Sequence, residues 1–292
     1  MRPEDRSYKT ADGTELPMRV WPAQNRDSHP FSHLTRPRAT LVYLHGIQSH
    51  SGWYEASSRH LAEAGVAVYQ LERRGSGTDR WHERGHVDRA ETWLDDVAAA
   101  ARLACGETGF AAAHLAGVSW GGKLALACAA HRPELYRSLL LAAPGIVPKV
   151  DPTLAVKVRV AQSLLAGDPL RRFPIPLHDP NLFTENPERV RYIAHDPLSL
   201  HEVTARFMYE SRRLDGLVRR AARVASRPTF LAIAEKDRII DNAATITLVE
   251  AMPCSRRQVI VYPNAGHTLE FEPDPAAYFR DLAAWIMEIE SV

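Results

Sequence analysis

The chain has 292 residues, 45% of them hydrophobic, enough for one large buried core with or without an insertion. Its 36 basic and 35 acidic residues leave a formal charge of +1, and with no basic stripe this argues against nucleic acid or an anionic membrane as a partner. The polar N-terminus lacks the apolar stretch of a signal peptide, and no run approaches the roughly 20 apolar residues of a membrane span, so a cytoplasmic protein without an integral membrane segment is expected.

The first elements flank Asp12-Gly13, a hairpin signal between short apolar–polar stretches. Residues 22–38, rich in Pro, His, Ser and Arg, read as a surface loop. The apolar run Ala39–Leu44 is a predicted strand ending at His45-Gly46. A helix over Trp53–Ala64 stops at Gly65, and Val66–Leu71 is the next strand. Helix Ala90–Cys105, strand Ala113–Ala116, helix Lys123–His131 and strand Ser138–Ala143 continue the alternation. After the middle of the chain it resumes with strand Thr229–Ala234, a helix running up to Glu250, strand Gln258–Tyr262 and helix Pro275–Ile289. Such alternation, with nearly continuous apolar strands, predicts a mostly parallel sheet with helices on both faces.

From Ile146 to Arg220 no clear buried strand appears, and eight prolines punctuate short helical patterns. This stretch reads as a helical insertion between two sheet strands, dividing the chain into a core of residues 1–145 and 221–292 and an inserted unit of 146–220. Cys105 and Cys128 fall in Ala- and Leu-rich helical stretches and read as packing. With Cys254 they form neither a disulfide framework nor a metal cluster. The histidines show no zinc spacing, so no metal or cofactor is expected. The oligomeric state is left open.

Gly117-Val118-Ser119-Trp120-Gly121 matches G-x-S-x-G between a predicted strand and a predicted helix. The glycines remove Cβ atoms that would clash in a sharp strand-to-helix turn, and the turn exposes Ser119 as a candidate nucleophile. Two backbone N–H groups, of Ile47 after His45-Gly46 and of Trp120 at the helix start, are candidate oxyanion donors. A serine hydroxyl needs a base. His267, in Tyr262-Pro-Asn-Ala-Gly-His267 after the last predicted strand, lies at the same sheet edge and is the candidate. The carboxylate partner should follow the preceding strand, where Glu235, Asp237 and Asp241 are available. Asp237 is favoured, because Asp241 opens the next helix and reads as its N-cap.

Other features read as structural. Arg73-Arg74 is expected to be a solvated or loop-bracing pair, Lys123 to be structural, and the acidic residues at 270 and 272 to be surface groups. Asp95 and Asp96 are adjacent on a helix and face apart.

Leu44-His45-Gly46, Arg74-Gly75-Ser76-Gly77, Gly117-Val-Ser-Trp-Gly121, Lys236-Asp237 and Gly266-His267, in this order, resemble the α/β-hydrolase superfamily over nearly the whole chain. The insertion after the sixth strand, with Leu182-Phe-Thr-Glu-Asn-Pro-Glu-Arg-Val and Asp196-Pro197-Leu198, is similar to the cap of the monoacylglycerol lipase and lysophospholipase (serine aminopeptidase S33-like) group. The resemblance implies the α/β-hydrolase fold with a helical cap. It implies Ser119, Asp237 and His267 as a triad, Ile47 and Trp120 as oxyanion donors, and hydrolysis of a lipid-like or small acyl ester through an acyl-enzyme. A thioesterase, amidase or lactonase would use the same triad, and a non-catalytic ligand-binding protein on this fold is the reading from a different class. Leu164, Leu165, Phe173, Phe183, Phe207 and Met208 are expected either to line an acyl tunnel or to form the cap's own packing.

Overall fold

The computed structural model describes residues 2–24 and 36–291; residues 25–35 of the expected 22–38 loop lie outside the described residues. Strands β1 (Glu4–Lys9) and β2 (Glu15–Trp21) form the antiparallel hairpin around Asp12-Gly13. There follow β3 (Ala39–Leu44), α1 (Glu55–Glu63), β4 (Val66–Leu71), α2 (Ala90–Thr108), β5 (Ala113–Val118), α3 (Trp120–His131) and β6 (Tyr136–Ala142). Then come α4 (Leu154–Leu165), β7 (Arg172–Pro174), α5 (Pro187–His195), β8 (Glu202–Thr204), α6 (Ala205–Ala221), β9 (Thr229–Ala234), α7 (Asn242–Glu250), β10 (Arg257–Tyr262) and α8 (Ala276–Glu290).

The main sheet has the order β1-β2-β4-β3-β5-β6-β9-β10. β2 joins β4 antiparallel, and every pairing from β4 to β10 is parallel. β3, β4, β5 and β9 are buried at every residue, because helices cover both faces of this part of the sheet. The order fixes which helix lies where. From β3 the chain steps one way to β4 and then back the other way to β5. Right-handed crossovers in opposite directions put α1 and α2 on opposite faces. The direction therefore reverses at β3, and the crevice lies at the carboxyl ends of β3 and β5, where an open α/β sheet binds its ligand.

The segment between β6 and β9 carries α4, α5 and α6, as expected, and also a two-stranded antiparallel sheet of β7 and β8. That sheet corrects the expectation of no strand in this stretch. Its strands have three residues each and one ends at Pro174, too short for an alternating pattern to register. Side-chain caps set the helix starts: Thr153 accepts from Val156 N–H, Asn186 from Glu188 N–H with Pro187 behind it, and Thr204 from Phe207 N–H. α6 packs on α3 of the core and on α4. Its Phe207, wholly buried, meets Trp93 of α2 and Trp120 of α3 with ring centroids at 5.0 and 5.9 Å.

A second tie joins the insertion to the core through Asp196. Its Oδ2 accepts from His50 Nε2 at 3.0 Å, Trp53 Nε1 at 2.7 Å and Ser199 Oγ at 3.0 Å. Gly52 N–H donates to His50 Nδ1, so the imidazole hydrogen is on Nε2 and faces the carboxylate. Burial raises the Asp196 carboxyl, but these donors outweigh it and hold it well below its ordinary value. Asp196→Ala leaves the buried His50 and Trp53 donors without a partner. We expect a loss of about 3 kcal/mol in urea unfolding; a loss under about 0.5 kcal/mol would show that this contact does not hold the insertion.

Glu270 corrects another expectation. It is not a surface group: it is 5% exposed, with Oε1 accepting from Ser57 N–H at 2.8 Å and Oε2 unpartnered. Burial pushes its carboxyl up from 4.5 to about 7. The native state thus binds this proton more tightly than the unfolded chain does. Its contribution to stability is present below about 4.5, falls as pH rises towards about 7, and is flat above. Glu270→Gln is expected to remove this fall and to gain up to about 3 kcal/mol at pH 8 in urea melts across pH. An unchanged pH slope in the variant would contradict it.

Candidate active site

Ser119 is the single residue between β5 and α3, with φ 54° and ψ −122°. A non-glycine residue in this region stores about 1–3 kcal/mol and persists only where its surroundings over-determine it. They do so here. Ser119 N–H donates to Ala142 O at 3.0 Å, and Ser119 O accepts from Gly145 N–H at 2.7 Å and Gly122 N–H at 2.9 Å. The flanking glycines are required by contact rather than by φ. A Cβ on Gly117 would sit 2.3 Å from Gly121 O, and one on Gly121 would sit 2.5 Å from His45 O.

That last contact joins the turn after β5 to the turn after β3. A Cβ on Gly46 would lie 3.5 Å from Ser119 Cβ, so the two turns touch. Buried Arg73 braces the second turn, with Nη1 donating to Gly46 O at 3.0 Å and Nη2 to Ile47 O at 2.8 Å. Its guanidinium lies 4.8 Å from the Trp120 ring and 5.5 Å from the Phe207 ring. His45 is part of the same brace: Nδ1 donates to Gly46 O and Nε2 accepts from Arg73 N–H. Burial holds its imidazole well below the ordinary value, which suits a neutral, structural ring. Trp120 opens α3, so its N–H has no intrahelical acceptor, and both Ile47 and Trp120 line one cavity with Ser119.

Asp237 and His267 follow β9 and β10, whose carboxyl ends lie at the same sheet edge as that of β5. His267 Nδ1 donates to Asp237 Oδ2 at 2.7 Å, and Asp237 Oδ1 accepts from Ile239 and Ile240 N–H at 2.8 and 2.9 Å. Burial raises the Asp237 carboxyl, but the imidazole and the two amides outweigh it, leaving it below its ordinary value. It is therefore an ionised carboxylate at neutral pH. His267 is 1% exposed, and its Nε2 has no hydrogen-bond partner, Ser119 Oγ included. Phe183 of the insertion stands edge-on to the imidazole at 6.0 Å.

The competing carboxylates are occupied elsewhere. Asp241 caps α7, accepting from Ala244 N–H at 3.0 Å, and Glu235 accepts from Asn264 N–H at 2.7 Å. The structure thus pairs His267 with the favoured carboxylate, and it brings Ile47, Ser119 and Trp120 onto one cavity wall.

The cavity holds about 360 Å³ between the sheet edge and the insertion. Of the six apolar insertion residues singled out, Leu164, Phe207 and Met208 line it. Leu165 is 89% exposed, Phe173 is buried among Val160 and Ala205, and Phe183 packs on Trp53. One wall is polar. Lys123 Nζ reaches Asp215 Oδ1 at 2.8 Å and Ser211 Oγ at 3.2 Å, and Trp120 Nε1 donates to Ser211 Oγ at 2.9 Å. Burial lowers the Lys123 ammonium and Asp215 opposes that.

Arg73 and Arg74 are both buried braces, not solvated residues; Arg74 grips Asp96 through Nε and Nη2 at 2.7 and 2.8 Å. The loop-bracing alternative for Arg73 holds, while the Ser211 wall left no signal in the sequence, since it joins segments far apart in the chain. Among the described residues no group of three His, Cys, Asp or Glu is arranged to hold a metal ion. No helix among them is long and apolar enough to cross a membrane.

Residues 35–274 match the family described as serine aminopeptidase, S33. The monoacylglycerol lipase of Mycolicibacterium smegmatis is 26% identical over 258 residues, which cover 87% of this chain and 89% of the relative. The monoglyceride lipase of Rattus norvegicus is 24% identical over 263 residues, or 90% of this chain and 82% of the relative. A soluble variant of the monoglyceride lipase from Saccharomyces cerevisiae, solved in complex with a substrate analogue, superposes with a TM-score of 0.83 at 18% identity, over 99% of this chain and 96% of that one. On the strength of a match that spans most of its length, the chain belongs to the serine aminopeptidase S33 family, as an α/β-hydrolase of the monoacylglycerol lipase group.

Proposed function

We propose that the chain is a serine hydrolase that cleaves the carboxylic ester of a lipid-like acyl substrate, a monoacylglycerol or a close analogue, through an acyl-enzyme. The observation that carries the reading is the conjunction at one sheet edge. A strained Ser119 on a largely apolar cavity faces the end of the sheet that also bears a buried carboxylate–imidazole pair with a free Nε2. The names of the relatives, monoacylglycerol and monoglyceride lipases, favour a glycerol ester over other acyl compounds.

In this reading His267 Nε2 takes the Ser119 proton as Oγ attacks the ester carbonyl. The N–H groups of Ile47 and Trp120 hold the oxyanion. Asp237 fixes the imidazole tautomer and stabilises the imidazolium. His267 then protonates the departing alcohol, and water, activated by the same imidazole, releases the acid. No cofactor enters these steps. Residues 1–145 and 221–292 act as the catalytic core, and residues 146–220 act as a cap that roofs the cavity and selects the acyl chain, Leu164, Phe207 and Met208 meeting it.

The test is turnover of an ester series from short to long acyl chains, including a monoacylglycerol and a lysophospholipid. Ser119→Ala and Asp237→Asn are each expected to lower kcat by about 10⁴-fold or more with the far-UV spectrum unchanged. Long-chain turnover lost in Ser119→Ala supports the reading. Activity that survives in Ser119→Ala removes Ser119 as nucleophile.

A further inference from the structure

Ser211 lies on α6 at the polar wall of the cavity. Its Oγ stands 2.9 Å from Trp120 Nε1 and 3.2 Å from Lys123 Nζ. Both neighbours are donors only. The indole N–H offers no lone pair, and the Lys123 ammonium, held by Asp215 at 2.8 Å, has none. A hydroxyl has two acceptor lone pairs and one hydrogen. With both lone pairs taken, Ser211 is fixed as a donor. A helical serine commonly turns its hydrogen to a carbonyl one turn back. Among the described residues Ser211 makes no such bond, and its Oγ is engaged by Trp120 and Lys123 alone. Asp215, one turn on, is held by Lys123 on Oδ1 and Arg212 on Oδ2, and no hydrogen bond joins either oxygen to Ser211 Oγ. Among the described residues the hydrogen thus has no hydrogen-bond acceptor, and the residue that carries it lines the cavity beside Phe207 and Met208.

We propose that Ser211 is a specificity-determining residue that donates a hydrogen bond to an oxygen carried along the acyl chain of the substrate. The substrate class is then an oxygenated acyl ester, with a hydroxyl, keto or ether oxygen part-way along the chain, rather than a plain alkanoyl ester. The proposal rests on the reading of this cavity as the acyl site. The physical reason is asymmetric. An alkyl chain leaves the Ser211 hydrogen dry and unpaired, and a chain oxygen placed elsewhere in the apolar part loses its water with nothing in return. Only an oxygen at one distance from the scissile carbonyl satisfies both partners. Trp120 ties that recognition to the turn at Ser119, because its backbone follows the serine and its indole holds Ser211.

The test is an oxygen scan. Monoacylglycerols of equal chain length, each with one methylene replaced by an ether oxygen at successive positions, are turned over by the wild-type protein. We expect kcat/KM to peak at one position, about tenfold above its neighbours. Ser211→Ala is expected to flatten the peak, and Ser211→Thr, which keeps the hydroxyl, to retain it. A flat wild-type profile, or a peak that survives Ser211→Ala, overturns the proposal. If Ser211→Ala does not fold, the wild-type profile decides alone. The same series is titrated by calorimetry against Ser119→Ala, which separates this proposal from the hydrolase reading. A peak in binding without turnover in the wild type supports Ser211 and contradicts the hydrolase. Plain-ester turnover with flat profiles in both assays does the reverse.

Discussion

The contact between two backbone turns, one after β3 and one after β5, is the constraint on which the rest of the molecule depends. At that point the chain reverses its direction across the sheet, and the strand ends diverge into a crevice. Gly46 and Ser119 close it from either side, and Gly117 and Gly121 beside them are each dictated by a neighbouring backbone atom. The strain at Ser119 is held by three backbone hydrogen bonds from β6, α3 and the turn after β6. The Arg73 guanidinium holds the opposite turn by two carbonyls at once. In the proposed function both devices hold the serine hydroxyl and the two amides in place for acyl transfer.

The insertion is coupled to this point, not merely laid over it. α6 brings Phe207 against Trp120 and the Arg73 guanidinium, and brings Ser211 and Asp215 to the polar atoms of Trp120 and Lys123. Phe183 stands against the imidazole of His267, and its carbonyl accepts from Thr268 N–H at 2.8 Å. Asp196 anchors the far side to His50 and Trp53. A shift of the insertion would therefore be felt at both halves of the proposed site.

Much of this was legible in the sequence, for identifiable reasons. Strands covered on both faces must be apolar at nearly every position, so Ala39–Leu44, Val66–Leu71 and Thr229–Ala234 declared themselves with their observed limits. The G-x-S-x-G turn was legible from its spacing between a strand and a helix, and Gly117 answers to local sterics, meeting Gly121 O. Asp237 was separable from Asp241 because N-capping is itself a local signal, and Asp241 does cap α7. Limits set by hydrogen bonds were less legible: α3 begins at Trp120, three residues before the predicted start at Lys123, because Trp120-Gly121-Gly122 carries no periodic pattern. What stayed hidden depends on contacts between distant segments. The burial of Glu270 under α1, the loop that Arg73 braces, the short β7–β8 pair and the locked hydroxyl of Ser211 leave no trace in composition or spacing, since the partner of a polar residue is not written beside it in the chain.

The central claim is that Ser119 is a nucleophile activated by the His267–Asp237 pair. The most direct measurement is peptide mass spectrometry after brief exposure of the folded protein to a fluorophosphonate, with the His267→Ala variant in parallel. The account predicts a single adduct on the peptide containing Ser119 in the wild-type protein and a loss of labelling in the variant. An adduct on a different serine, or equal labelling of Ser119 without His267, would contradict it.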